Sequence, residues 1–419
     1  MMKTATETII TLLAAGFFVL GAGCGGGGGE GDGGDTDAET EGPETDAVDD
    51  GPLDDGQAED VPAEDAPMIL DWASVTAGGG HNCALALNGT VWCWGDNRNG
   101  QVGDESTENR SRVARVGEDL DWTVVDAGGM HGCGLKAGGE LWCWGGNWLG
   151  QLGDGTTESR SFPVQVGTEA GWASASGGKE HTCAVKDNGS LWCWGGNRYG
   201  QVGDGSTTDR SAPVSLGSGT TWASVSSGGM HGCALQTDGS LWCWGGNGYG
   251  QVGDGTSAQK NVPTRVGSET GWQSVSAGGI HTCAIKADGT LWCWGDNWFG
   301  QLGTGTPGGS NVPVQAGADA DWSQVDCGYE HCCAVKTDGS LWCWGQNENG
   351  QVGDGSTENR DVPTQVGSET NWTAAAAGES HSCAATSLQS IWCWGLNDVG
   401  QLGDGTNTAS TDPVEILTD

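Results

Sequence analysis

From about residue 68 onward the hydrophobic pattern is one of short runs, five or six residues long, punctuated by glycine. Trp172 to Ser176, His181 to Lys186, Ser190 to Gly195 and Pro163 to Val166 each read as a strand, and no segment carries a 3.6-residue apolar period. The same order of runs returns every fifty residues. Trp-Cys-Trp-Gly begins at Trp92, Trp142, Trp192, Trp242, Trp292, Trp342 and Trp392 without a slip in spacing. Each copy has an upstream Trp (Trp72 through Trp372), a His-x-Cys (His81 and Cys83 through His381 and Cys383) and a downstream Gly-Gln-x-Gly (Gly100 and Gln101 through Gly400 and Gln401). A period in this range belongs to solenoids, arrays and propellers.

Seven all-β units of four short strands predict a seven-bladed β-propeller over residues 68–419, because a ring of blades leaves no long sheet edge exposed. The Pro-Val-x-Val strand of each blade is expected to come from the preceding copy. The first copy has no such strand before it, and the chain ends with a surplus one, Pro413-Val414-Glu415-Ile416, so the C-terminal strand is expected to close the ring by completing the first blade. An open solenoid would need no surplus.

Turn chemistry sets the register of the cysteines. A two-residue turn at Asn188-Gly189 would put Cys183 and Cys193 on opposite faces of their hairpin. A three-residue loop with Gly189 in the left-handed conformation pairs them directly. Seven bridges within blades follow: Cys83 to Cys93, Cys133 to Cys143, Cys183 to Cys193, Cys233 to Cys243, Cys283 to Cys293, Cys333 to Cys343 and Cys383 to Cys393. The alternative is reduced, buried thiols. Adjacent strand residues point to opposite faces, so Cys332 cannot share Cys343 with Cys333 and is expected to pair with Cys327 across a four-residue turn. Blade seven departs from the turn pattern, with Leu388-Gln389 where the glycine should be.

Composition adds a compartment. Seventeen cysteines in a 419-residue chain, mostly paired at fixed spacing, point to an oxidising environment. Residues 1–23 read as a signal peptide: Lys3, an apolar run from Ile9 to Leu20, then small residues. Leu20-Gly21-Ala22-Gly23-Cys24 resembles a bacterial lipobox, which would make Cys24 a lipidated N-terminus; ordinary signal cleavage is the alternative. Residues 24–67 hold five consecutive glycines and sixteen acids with no Lys or Arg, the composition of a disordered, self-repelling tether. A net charge of −39 argues against nucleic acid or an anionic lipid surface as a partner, leaving the membrane to a lipid anchor alone.

The chemistry-bearing residues mostly obey the repeat. All seven histidines occupy one repeat position, which reads as framework, and Asp104, Asp154, Asp204, Asp254, Asp354 and Asp404 follow glycine in turns where a carboxylate satisfies local amides. No histidine lies outside the repeat, no glycine-rich run carries a phosphate-binding Lys, and His181, Cys183 and Cys193 lack a recurring fourth ligand for zinc. No catalytic residue, metal or cofactor is therefore assigned. What varies is a set of apolar residues in blades two to five: Met130, Met230 and Ile280 before the histidines, and Trp148, Tyr199, Tyr249, Trp298 and Phe299 in the following loop. Strand alternation puts both segments on one side of the ring. They are either a recognition surface or packing against the neighbouring blade.

Ala-Gly-Gly-x-His-x-Cys-Ala-Leu, followed by Asp-Gly-Ser-Leu-Trp-Cys-Trp-Gly-x-Asn-x-x-Gly-Gln-x-Gly-Asp-Gly, resembles the repeat of the regulator of chromosome condensation family across residues 68–419. The resemblance implies a seven-bladed propeller; the two cysteines per repeat and the export signal depart from the family pattern. It also implies binding functions, since the family includes a secreted bacterial inhibitor of β-lactamases. The expected function is an exported, lipid-anchored, monomeric scaffold, outside the cytoplasm, that binds an unidentified protein or extracellular ligand on one face. Guanine-nucleotide exchange on a small GTPase, or a lyase or hydrolase built on a propeller, are the alternatives.

Overall fold

The computed structural model describes residues 70–218 and 221–418. The expected signal peptide, Cys24, the expected acidic tether and the first residues of the expected propeller segment lie outside them. Among the described residues, twenty-eight strands, β1 to β28 in chain order, form seven separate four-stranded antiparallel sheets. Blade one consists of β1 (Trp72–Ala77), β2 (His81–Ala86), β3 (Val91–Gly95) and β4 (Arg110–Arg115), and every later blade repeats this order at an offset of fifty residues. The first strand of each blade faces the axis and the fourth forms the outer edge.

Hydrophobic patterning follows depth in the blade. β2 is buried along its whole length, whereas β4 is only partly buried and mostly polar. The outer edge carries a proline in six blades (Pro163 through Pro413), which removes a donor from an exposed edge and blunts pairing with another chain. Between β2 and β3 the hairpin closes through Leu87-Asn88-Gly89, with Gly89 at φ 79° and Cys83 directly opposite Cys93. This is the three-residue loop that the cysteine spacing requires. All seven bridges within blades are formed, as is Cys327–Cys332, whose residues face each other across the innermost strand pair of blade six.

The expected closure by the C-terminal strand is corrected by the pairing. β28 (Ser410–Glu415) bonds to β27 (Ile391–Gly395) in blade seven, and blade one already owns its outer strand, β4, bonded to β3. The blade is therefore cut one strand later than the Pro-Val pattern suggested. The loop after each third strand returns the chain to its own sheet. Closure instead uses the same contacts as every other junction. The long loop between a blade's third and fourth strands lies against the next blade, where Trp144 Nε1 donates to Gln101 O at 2.9 Å; at the closing junction Trp94 Nε1 donates to Gln401 O at 3.0 Å.

Around the axis runs a ring of seven backbone hydrogen bonds, from Gly79 N to Gly128 O and onward to Glu379 N to Gly78 O. Close approach there explains the glycine before each x-x-His: a Cβ on Gly78 would stand 2.3 Å from Gly128 O and 2.7 Å from its own histidine ring.

Candidate functional site

The turn before each second strand and the long loop after each third strand lie together on one face. Gly146 N donates to Met130 O at 2.7 Å, and a Cβ on Gly146 would meet both Met130 Cβ and the Trp148 ring. Met130, Gly146 and Trp148 thus form one small apolar patch. The eight candidate residues divide by exposure. Trp148, Tyr249 and Trp298 are 55, 56 and 84 % exposed, whereas Met130, Tyr199, Met230, Ile280 and Phe299 are half-buried. Packing accounts for part of the set: a Cβ on Gly246 would contact Tyr199 Cβ at 3.5 Å, so Tyr199 leans on the next blade. Where blade five presents Asp296 in place of that glycine, Tyr249 stays out in solvent.

Blades six and seven give the same face a different character. Glu330 occupies the position held by Met130, Met230 and Ile280 elsewhere; its carboxyl is pushed up first by burial and then by the charges of Asp296, Glu348 and Glu379. The apolar arc is therefore continued by an acidic one.

At the centre of this face lies an axial cavity of about 160 Å³. Its wall includes one residue column of the innermost strands, Thr76, Asp126, Ser176, Ser226, Ser276 and Asp326; Ala376 holds the seventh position of that column without lining the cavity. Each polar member accepts a backbone hydrogen bond from the next blade, for example from Gly177 N to Asp126 Oδ2 at 2.6 Å and from Ala377 N to Asp326 Oδ2 at 2.8 Å. Thr76 Oγ1 and Ser276 Oγ donate to the other oxygens of the two carboxylates, at 3.0 and 3.1 Å. Burial pushes Asp126 up to about 6, against the pull of its amide and hydroxyl donors, with some repulsion from Asp326, which is itself pushed up by burial. Above the cavity, Lys179 of blade three lies 4.0 Å from Glu379 of blade seven and 4.5 Å over the ring of Tyr329 of blade six. Asp126, Asp326, Lys179, Tyr329 and Glu379 were not among the residues picked from the sequence. Their signal is a break in a column that is otherwise glycine or small and hydroxylated.

The histidines are fully buried, and burial lowers all seven, to about 3 or 4. They join blades. His131 Nε2 lies 2.8 Å from Thr182 Oγ1, whose own proton goes to Gln151 O, so Nε2 must be the protonated ring nitrogen. The same logic holds for His231 on Thr282 and His331 on Ser382. At the closing junction His381 donates to Asn82 Oδ1 while Asn82 Nδ2 donates to Gln401 O. The turn aspartates act locally as expected, and five of the six also bind a cation at the start of the fourth strand, as between Asp104 and Arg110, whereas Asp404 has Ser410 there. Blade five lacks both partners, with Thr304 and Ser310 in their places.

One cluster has the donor chemistry of a metal site. His281, Cys283, Cys327 and Cys332 bring their ligand atoms within 4.8 Å of one another. The three sulfurs are engaged in Cys283–Cys293 and Cys327–Cys332, so the oxidised protein offers no thiolate there.

Comparison with known proteins supports the architecture. The family described as RCC1-like domain matches residues 111–418, and the regulator of chromosome condensation (RCC1) repeat matches residues 72–101. Human WBSCR16 superposes with a TM-score of 0.69 at 24 % identity, over 76 % of this chain and 87 % of that one. Prp20p from Saccharomyces cerevisiae, whose structure was described with its binding properties to Gsp1p and histones, gives 0.72 at 20 % identity over 79 and 87 %. The ectodomain of the Physcomitrella patens receptor kinase CR4 gives 0.50 at 20 % identity over 78 and 74 %. No curated protein matches the sequence.

Proposed function

The chain belongs to the family of RCC1-like domains, and from that premise we propose that it is an exported, disulfide-stapled scaffold that binds a protein partner through the face carrying the histidine turns. The observation that carries this reading is the exposure of Trp148, Tyr249 and Trp298 on that face, while the tryptophans of the repeat framework are buried or half-buried. Isolated exposed side chains need no explanation, but large aromatics on one loop tier above a rigid ring are the usual anchors of an interface. The acidic arc of Glu330, Glu348, Glu379 and Asp398 beside them favours a partner with an apolar centre and a cationic fringe. Protein binding is also the behaviour described for the yeast relative, and an ectodomain among the similar structures is compatible with a place outside the cytoplasm.

Export rests on the bridges and on the N-terminal pattern, and a lipid anchor at Cys24 on the lipobox-like stretch. The binder reading is preferred to an enzymatic one because the histidines are committed to blade junctions and do not border the axial cavity. No cofactor is invoked.

The test is a paired measurement on Trp148→Ala, Tyr249→Ala and Trp298→Ala, with Asn349→Ala as a control outside the arc. A partner captured by the wild-type propeller should bind each aromatic variant about 2 kcal/mol more weakly where that residue is a central anchor, with thermal stability unchanged. Loss of stability with binding retained would assign these residues to packing and move the search to the opposite face.

A further inference from the structure

The junction of blades five and six differs from the other six in its chemistry. Where the histidine of one blade meets a hydroxyl, amide or glycine of the next, His281 meets a sulfur: its Nε2 lies 3.0 Å from Cys332 Sγ. Cys332 stands on β22 (His331–Lys336) in the column occupied elsewhere by Asn82, Gly132, Thr182, Gly232, Thr282 and Ser382. Its bridge partner, Cys327, ends β21 (Trp322–Cys327) and borders the axial cavity, which no other cysteine does among the described residues. Cys332 itself is fully buried, and its sulfur lies 3.6 Å from Cys283 Sγ of the neighbouring blade, which is bridged to Cys293. Four sulfurs therefore run in a row from the axial cavity into the blade interface: Cys327, Cys332, Cys283, Cys293.

We propose that this row is a thiol–disulfide exchange relay, entered by small thiols through the axial cavity, with Cys327 as the site of modification and an inter-blade Cys283–Cys332 bridge as the product. Exposure selects the sulfur that is attacked, because Cys327 is the member of its bridge that a cavity molecule can touch. A thiolate bonds to Cys327 Sγ as the Cys327–Cys332 bond breaks, and Cys332 leaves as a thiolate. The buried leaving group is met by the Nε2–H of His281. That proton assignment follows because a bridged sulfur has no hydrogen to donate, as is true of the hydroxyls facing His131, His231 and His331, and the imidazole is kept neutral by burial. Lowering the basicity of a leaving thiol speeds exchange. Cys332 then attacks Cys283 Sγ, the Cys283–Cys293 bond breaks, and Cys293 takes up the proton the incoming thiol gave away. Two disulfides exist before and two after; one thiol is consumed and one appears, with no net oxidation. The cavity, about 160 Å³, suits a reagent no larger than a small organic molecule, since roughly 150 Å³ accommodates benzene.

The probe is β-mercaptoethanol, applied to the folded, oxidised protein, followed by alkylation and disulfide mapping. The expected product carries the reagent on Cys327, a Cys283–Cys332 cross-link and alkylated Cys293, with labelling at Cys327 about tenfold or more above that at any other bridge. Reagent on Cys327 with Cys332 alkylated and Cys283–Cys293 intact would overturn the relay, and so would equal labelling of all bridges. Cys293→Ser gives an independent reading without added thiol. The freed Cys283 should displace Cys327, leaving Cys283–Cys332 bridged and Cys327 open to alkylation. A variant that retains Cys327–Cys332 and alkylates at Cys283 would refute the exchange step.

Discussion

Asp126 and Asp326 are the two residues that break the axial column with charge, and their environment makes them sensitive to pH. A carboxyl raised to about 6 in the folded protein, against 3.8 for the free group, binds its proton more tightly when folded. Its contribution to stability is therefore complete below pH 4 and is lost as pH rises from about 4 to 6. Ionised Asp126 should cost about 3 kcal/mol at neutral pH. Asp126→Asn keeps an acceptor for Gly177 N and a polar partner for Thr76, so it is expected to stabilise the protein at pH 7, and its gain over the wild type should shrink as pH falls from 6 towards 4, measured by urea denaturation. An unchanged profile would mean that the channel solvates the carboxylate. These residues were hidden in the sequence because each sits in an ordinary strand position, and only a column-by-column reading of the seven copies isolates them. Lys179, Tyr329 and Glu379 were hidden for a further reason. They stand 50 and 150 residues apart along the chain, and only ring closure brings them to one mouth.

The hairpin between second and third strands was legible down to its register, because glycine at the third loop position and ten-residue cysteine spacing admit one arrangement. The departure in blade seven leaves a side chain where the other blades have glycine. In the other blades the glycine is demanded twice: by φ near 80°, and by the chain linking the fourth strand to the next blade, which passes so close that a Cβ on Gly339 would stand 2.3 Å from Thr370 O. In blade seven the chain entering blade one runs past the same loop, with Trp72 N donating to Gln389 O at 3.3 Å, and Gln389 bears the dihedral demand at φ 63°. A side chain in that region costs about 1 kcal/mol. Gln389→Gly should therefore raise stability by about that amount, whereas Gly339→Ala should lower it by about 2 kcal/mol or more, since strain and collision add. Chemical denaturation of the two variants checks both signs. The blade boundary was the element-level feature that could not be read. A period of fifty residues fixes the length of the unit and leaves its phase free, so β4 and β28 were each assigned one blade too late.

At the scale of the whole ring the seven histidines act together. The fifty-residue identity of their position correctly marked them as framework, but not the consequence of burying seven titratable rings between blades. Each is lowered from 6.5 to about 3 or 4 chiefly by burial, with neighbouring histidines adding repulsion at most positions. A depressed folded value contributes stability that is fully present above pH 6.5 and drains away as pH falls towards 4. Below pH 6 each ring costs about 1.4 kcal/mol per pH unit, so seven give a slope of about 10 kcal/mol per unit, more than the stability of a typical domain. Asp126 works in the opposite direction but is a single group with a shift of about two units. The propeller is therefore expected to unfold cooperatively between about pH 6 and 4 even with all disulfides intact, with a midpoint that moves to lower pH when histidines are replaced by a neutral donor. His331→Asn, facing Ser382, is a suitable case, because an amide can still donate across the junction. Circular dichroism against pH, with proton uptake measured at the transition, tests the account: uptake of several protons per chain that falls by about one in His331→Asn is required, and an uptake and midpoint unchanged by that replacement would assign acid unfolding to the carboxylates instead.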